Sequence, residues 1–374
     1  MRIHIHSFEK LFEIKSLMSH LMNQILGSRS IILLFLLGSF LRAHSQNSDS
    51  LLLPAEKHLK NLHQLTSGGQ NAEAYLSLDE TKLVFQSKRD SFQCDQIFMM
   101  NFDGSGVKLL STGKGRTTCS YFLPDGAHLI YSSTHLGGDQ CPPVPDRKKG
   151  YVWPLYPTYD IFAADTNGVI TKRLTDTPGY DAEAVVSPRG DKIAFTSLRN
   201  GDLDIYTMNI DGSDVRQLTH EYGYDGGPFF SYDGSKIAYR AYHPRSKKEI
   251  QEYTDLLHEE KIRPVNLQIW IMDVDGSHKK QITTNSGTNF GPFMHPDGQH
   301  IIFASNLADT SRVPLDFDLF VVNIDGSGLE RITFSPAFDG FPMFTHDGRK
   351  LVFVSGRNAK ERYESNIFTA DWVP

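Results

Sequence analysis

The chain has 374 residues, of which 39% are hydrophobic and 22% charged, with a formal net charge of −6. That composition belongs to a globular protein rather than a disordered one. The acidic balance argues against a nucleic-acid partner, which calls for a basic face.

The N-terminus reads differently from the rest. Residues 31–41 (IILLFLLGSFL) form an unbroken apolar run, preceded by Lys10, Lys15 and Arg29 and followed by Ala43, His44 and Ser45. The run is short of the ~20 residues that span a bilayer, and small residues at 43 and 45 suit signal-peptidase cleavage. The sequence predicts an export signal over 1–45 with cleavage before Gln46, a short lead-in over 46–60, and a periplasmic or secreted mature chain, monomeric and without a membrane span. An uncleaved anchor is the other reading of the same run.

A repeat then takes over. A turn followed by a short β run occurs six times: LDETKLVFQS (78–87), PDGAHLIYSS (124–133), PRGDKIAFTS (188–197), YDGSKIAYRA (232–241), PDGQHIIFAS (296–305) and HDGRKLVFVS (346–355). Between these lies a second element: IFMMNFDGSG (97–106), IFAADTNGVI (161–170), IYTMNIDGSD (205–214), IWIMDVDGSH (269–278) and LFVVNIDGSG (319–328). Each second element leads to a Leu-Thr-like pair, such as Leu174-Thr175 or Ile332-Thr333. Asp-Gly and Asn-Gly between β runs favour tight hairpins, because glycine takes positive φ without a Cβ penalty. Each unit therefore holds two hairpins and four strands. One such sheet cannot bury both faces alone, and stacking six around an axis does. The predicted fold is an all-β, six-bladed β-propeller over 61–374. The last unit lacks its own outer strand, and an orphan Leu65-Thr66 precedes the first, so residues 61–66 are expected to complete the sixth blade.

The run of turn, I-x-F-x-S strand, D-I-Y-x-M-N-x-D-G hairpin and Leu-Thr pair resembles the WD40-like repeats of the TolB propeller family, over nearly all of 61–374. TolB proper carries an α/β domain ahead of its propeller. Here only about fifteen residues separate Gln46 from the first strand.

Function on a repeat scaffold tends to sit where the repeats differ. Successive turn glycines, from Gly126 to Gly190, Gly234, Gly298 and Gly348, are 64, 44, 64 and 50 residues apart. The extra length falls between the second and third strands, at 135–159, 242–267 and 307–316. Strands alternate in direction, so all three insertions rise from one face, together with the segments that enter each inner strand. The second insertion, within 242–267, carries Ile250, Tyr253, Leu256 and Leu257 at helical spacing, which predicts a helix over 247–261 ended by Pro264.

The candidate ligand-binding residues gather on this face. Glu73, Asp181, Glu183, Asp225, Asn289 and Asp339 enter the inner strands and are expected to ring the channel mouth. His135, His243 and Arg245 begin the two long insertions, and Tyr151 and Trp153 offer an aromatic platform. Such carboxylates and histidines suit a divalent metal, acid–base work or a basic ligand. Loop carboxylates that accept backbone amides would look the same in sequence. The opposite face, made of short turns, is expected to be plain. Cys94, Cys119 and Cys141 allow one disulfide, and Cys94–Cys119 is the expected pair because strands of adjacent blades are close and rigid.

No nucleophile elbow, Walker motif or dinucleotide motif is present. The sequence therefore reads as a binding module for a protein or glycan of the cell envelope. The alternative is a metal-dependent, carbohydrate-active enzyme, by resemblance to propeller polysaccharide lyases.

Overall fold

In the computed structural model, which describes residues 46–47, 49–146, 150–309 and 316–374, each repeat folds into one antiparallel sheet. The predicted export signal lies outside the described residues. Blade 3 shows the pattern, with strands Asp181–Val186, Lys192–Ser197, Asp204–Asn209 and Arg216–Gln217 paired in sequence order. Six such sheets make a six-bladed β-propeller. Among the described residues no helix is long and apolar enough to cross a membrane.

The repeated residues each have a packing role. The aromatic residue of the I-x-F-x-S strand is buried in every blade and pairs with an aromatic residue of the third strand. These cross-strand pairs are Phe85–Phe98, Tyr131–Phe162, Phe195–Tyr206, Tyr239–Trp270, Phe303–Phe320 and Phe353–Phe368. Their ring centroids lie 5.9–6.4 Å apart. Such pairs are worth about 0.5–1.5 kcal/mol each beyond their buried area.

The Leu-Thr pair anchors the outer strand. Thr219 accepts the Ile205 N–H at 2.9 Å and donates to Asp204 at 2.8 Å. Ser111, Thr175, Thr283 and Thr333 accept the equivalent N–H in their own blades. The hairpin glycine then sets blade on blade. Gly212 has φ +83°, and a Cβ there would lie 2.8 Å from the Leu174 carbonyl oxygen of the preceding blade. Only glycine combines that backbone angle with that approach.

In the sixth sheet the C-terminal strand Asn366–Trp372 pairs with Leu59–Gln64, and Thr66 accepts the Ile367 N–H at 2.9 Å. Gln46–Asn47 adds a short fifth strand to that sheet.

The helix of the blade 4 insertion, α1, runs over Lys247–His258, opened by a capping box between Ser246 and Glu249. It stops three residues before the predicted end. Glu260 turns the chain at φ +56°, and Lys261–Ile262 then pairs as a strand with Trp153–Pro154 of the blade 2 insertion. The two insertions are thus joined to each other, around an apolar cluster that includes Leu155, Tyr159, Tyr224, Tyr253 and Ile262.

The disulfide is Cys94–Cys141, with Cα atoms 5.9 Å apart, and Cys119 is free. This corrects the expected Cys94–Cys119 pair. The blade 2 insertion folds back onto the junction with blade 1, whereas Cys119, at φ +50°, turns its thiol to Glu73 instead.

Candidate channel site

The six inner strands are Gln70–Leu76, Thr117–Phe122, Asp181–Val186, Tyr224–Phe230, Asn289–Met294 and Asp339–Phe344. Each carries a β-bulge near its middle. The residue at the bulge has positive φ in all six: Glu73, Cys119, Glu183, Gly227, Gly291 and Phe341. Non-glycine residues rarely adopt this conformation, so its recurrence is a designed feature of the ring. These six positions form one layer of the central channel.

Two residues further on, Tyr75, Tyr121, Val185, Phe229, Phe293 and Met343 form the next layer. Tyr75 of blade 1 meets Phe229 of blade 4, the blade opposite, with ring centroids 5.3 Å apart. Tyr75 also packs on Tyr121, and Phe229 on Phe293. This apolar plug closes the channel across its width.

The bulge layer is polar on one side and aromatic on the other. On the polar side the Glu73 carboxyl hydrogen-bonds the Cys119 thiol. Glu183 accepts from Thr196 at 2.7 Å, from the Gly227 N–H at 2.9 Å, from Tyr224 Oη at 3.1 Å, and from the Arg240 guanidinium. Arg240 belongs to the second strand of blade 4 and reaches the lumen past Gly227, where any Cβ would collide with its guanidinium. Desolvation raises the pKa of Glu73 to about 7, and the nearby Glu183 charge adds to the shift, against the Cys119 hydrogen bond and the Arg240 charge. Burial likewise holds the Cys119 thiol well above its usual range. On the aromatic side, Phe290, Phe317, Phe338 and Phe341 form one cluster, with centroids 5.0–6.2 Å apart.

The joined insertions lie over the polar side. The Arg240 guanidinium sits 5.1 Å from the Trp153 ring centroid, and Trp153 meets Tyr224 edge-on at 6.4 Å. A cation held against an indole face and a carboxylate at once is strongly fixed in place. Tyr151, half-exposed, accepts the Trp153 indole N–H at 3.2 Å.

The structure therefore brings Glu73, Glu183, Trp153 and Tyr151 of the predicted set together. It separates the others. Asp181, Asp225, Asn289 and Asp339 are at most 1% exposed and tie strands and blades together. Asp181 pairs with Arg199 at 3.0 Å, and Asp339 with Arg357 at 2.9 Å. Asn289 donates to the Leu267 carbonyl at 3.0 Å. Asp225 lies 3.1 Å from His243 Nε2, whose other nitrogen is 3.0 Å from Glu221. Burial opposes charge on that imidazole, but the Asp225 contact and the two carboxylates outweigh it and raise its pKa. His135 bonds Ser133 at 2.9 Å and packs on Phe162, with its pKa lowered chiefly by burial. Arg245 is exposed beside the start of α1.

The sequence places each entry triplet at the mouth as a whole, with Cys119, Gly227, Phe290 and Phe341 among them, but does not single these residues out and does not assign Tyr224, Phe317 or Phe338 to the lumen. The usable signal was the third member of each entry triplet, as in Asp181-Ala182-Glu183. The face of short turns also differs from its expectation. A cavity of about 60 Å³ opens there beneath the plug, lined by Leu76, Tyr121, Phe122, Val186, Phe230 and Tyr232 among others. It is far smaller than the site of a drug-sized ligand.

Six repeated four-stranded sheets around a plugged channel define a six-bladed β-propeller whose variable parts are its insertions. A family model described as the TolB beta propeller domain matches residues 156–262, so that part of the chain is similar to the TolB propeller. A protein TolB homolog of Chlorobium luteolum is 24% identical over 183 residues, 43% of this chain and 40% of that protein. TolB from Acinetobacter baumannii superposes with a TM-score of 0.51 at 20% identity, covering 70% of this chain and 54% of that one. An oligogalacturonate lyase in complex with manganese gives 0.50 at 15% identity, covering 83% and 93%. These likenesses show the fold alone. The chain spans well under two thirds of the length of either TolB relative.

Proposed function

We propose that this is an exported binding module that takes a protein or glycan of the cell envelope on its insertion-bearing face, at the mouth of the polar half-channel. One observation carries the reading. The blade 2 and blade 4 insertions, the largest departures from the repeat, join through Trp153–Pro154 and Lys261–Ile262 beside Arg240. Two insertions that build one structure around a fixed cation make a recognition surface rather than two loose loops.

The lyase-like reading has less support. A metal-dependent enzyme needs histidines and carboxylates converging on one point. His135 and His243 are each bound to their own neighbours, and among the described residues no cluster of three metal-ligating side chains forms at this mouth.

The test compares two sets of variants for binding to isolated envelope glycans and to purified envelope proteins. One set is Trp153→Ala with Tyr151→Ala, and the other is the turn pair Asp211→Ala with Asp325→Ala. Loss of binding in the first set alone, with an unchanged melting temperature, supports the assignment. Loss in the turn set alone puts the ligand on the other face, and turnover of acidic oligosaccharides would replace binding by catalysis.

A further inference from the structure

The first turn of blade 5 differs from the other five. It reads His295-Pro296-Asp297-Gly298-Gln299-His300. Asp297 Oδ1 accepts the backbone N–H of Gln299 at 2.7 Å and of His300 at 3.2 Å. Its other oxygen, Oδ2, lies 2.7 Å from Nδ1 of His300. Blade 2 has the same arrangement, with Asp125 Oδ2 2.7 Å from Nδ1 of His128. An Asp–His pair is thus part of the turn's own chemistry and calls for no ligand.

What blade 5 adds is His295, whose Nδ1 lies 3.0 Å from the same Asp297 Oδ2. Two imidazole nitrogens and a carboxylate oxygen converge, all within 4.8 Å of one another, and among the described residues this is where three such groups meet. The His295 ring is fixed from behind, edge-on to Phe344 with centroids 4.5 Å apart and 6.5 Å from the Trp372 ring. Its Nδ1 also faces the Asp297 backbone N–H at 3.2 Å. Nε2 is buried with no hydrogen-bond partner. A cation among the two Nδ1 atoms and Oδ2 would take the lone pair of each ring nitrogen, on His295 in place of the long contact from the Asp297 N–H.

We propose that His295, Asp297 and His300 bind a divalent transition metal, zinc foremost, on the turn face of blade 5, with a fourth position left for water or a partner's side chain. Two imidazoles and one carboxylate suit zinc and its neighbours, whereas calcium and magnesium take oxygen ligands. Bonds of about 2.0–2.1 Å place tetrahedral ligand atoms about 3.3 Å apart. The observed 2.7 and 3.0 Å need an opening of a few tenths of an ångström. The space beside Gly298 is clear, with no atom within 4 Å of where its Cβ would stand.

The test titrates the full chain with zinc by calorimetry, with cobalt(II) by its visible spectrum, and with copper(II) by the part of tryptophan fluorescence quenching that is lost in Trp372→Phe. The expected result is one strong site with tetrahedral cobalt bands. His300→Gln and His295→Gln should each weaken zinc binding at least about tenfold. His128→Gln, which disturbs the same turn pair without a third ligand, should leave it unchanged. His300 is partly exposed, so its variant keeps the fold, and thermal melting checks this. Absence of a strong zinc site in the parent chain overturns the proposal. So does zinc binding in His300→Gln and His295→Gln equal to the parent's, or an equal loss in His128→Gln.

Discussion

Glu56 and Arg357 lie 301 residues apart in the chain and form a buried ion pair, with Oε1 to Nη2 at 3.0 Å and Oε2 to Nη1 at 3.1 Å. Both side chains are at most 4% exposed, and Asp339 shares the same guanidinium. Glu56 Oε1 also accepts the Phe334 N–H at 3.0 Å. The segment before the first blade is thereby fastened to blade 6. Removing one partner of such a pair leaves a buried charge poorly compensated, at a cost of about 3–5 kcal/mol. Glu56→Ala is expected to fall in that range by chemical denaturation, and Glu56→Gln, which keeps one acceptor, to cost less. An unchanged midpoint for Glu56→Ala would mean that the lead-in is not part of the folded unit.

The Cys94–Cys141 bond closes a loop across a sequence separation of 47. A loop of that size stabilises the fold by about 2–4 kcal/mol on a chain-entropy view. Reduction should therefore lower the melting temperature, as should Cys141→Ser, whereas Cys119→Ser should not. Cys119 is the free thiol, and burial raises its pKa. It is expected to alkylate slowly in the native protein and at once after unfolding. Peptide mapping that finds Cys119 in a disulfide would contradict the geometry.

The repeats are legible because their signals are local. An Asp-Gly turn, a β run with an aromatic residue and a Leu-Thr pair each specify a contact within one blade or with the next. The lumen is less legible. Asp181 and Glu183 are two apart, and a regular strand would place both on one face. A bulge separates them: Asp181 faces Arg199 between strands, and Glu183 faces Arg240 in the channel. Positive φ at Glu183, Cys119 and Phe341 follows from no preference of those residue types, so sequence alone placed the whole triplet at the mouth. The cysteine pairing was hidden for another reason, since it depends on where the blade 2 insertion folds.

Gly227 is the opening through which Arg240 reaches Glu183. Its φ is +56°, and a Cβ would collide with the Arg240 guanidinium. Gly227→Ala should therefore strain the backbone and displace the guanidinium together. The strain alone costs of order 1–3 kcal/mol, and the displaced charge leaves Glu183 without its strongest partner. A drop in stability of at least about 2 kcal/mol is expected, partly relieved when Arg240→Ala is added. Full additivity of the two substitutions would show that Gly227 does not act through Arg240.

Glu73 gives the channel a pH dependence of unusual sign. Its folded pKa is raised to about 7, first by desolvation, from an ordinary value of 4.5. A group whose pKa rises on folding binds more protons in the native state between those two values. Its contribution to stability is complete below about pH 4.5 and is lost as pH climbs through 7. The span is worth at most about 3.5 kcal/mol at about 1.4 kcal/mol per unit, and less where water enters the channel. Asp204 and Asp318, each raised to about 7 mainly by burial, act in the same direction. Glu73→Gln, always neutral, should match the parent's stability near pH 4.5 and exceed it near pH 8. Denaturation midpoints of the two proteins across that interval measure the difference directly. A gap that stays constant from pH 4.5 to 8 would mean that Glu73 is already ionised at the lower limit, with Arg240 rather than burial controlling the lumen.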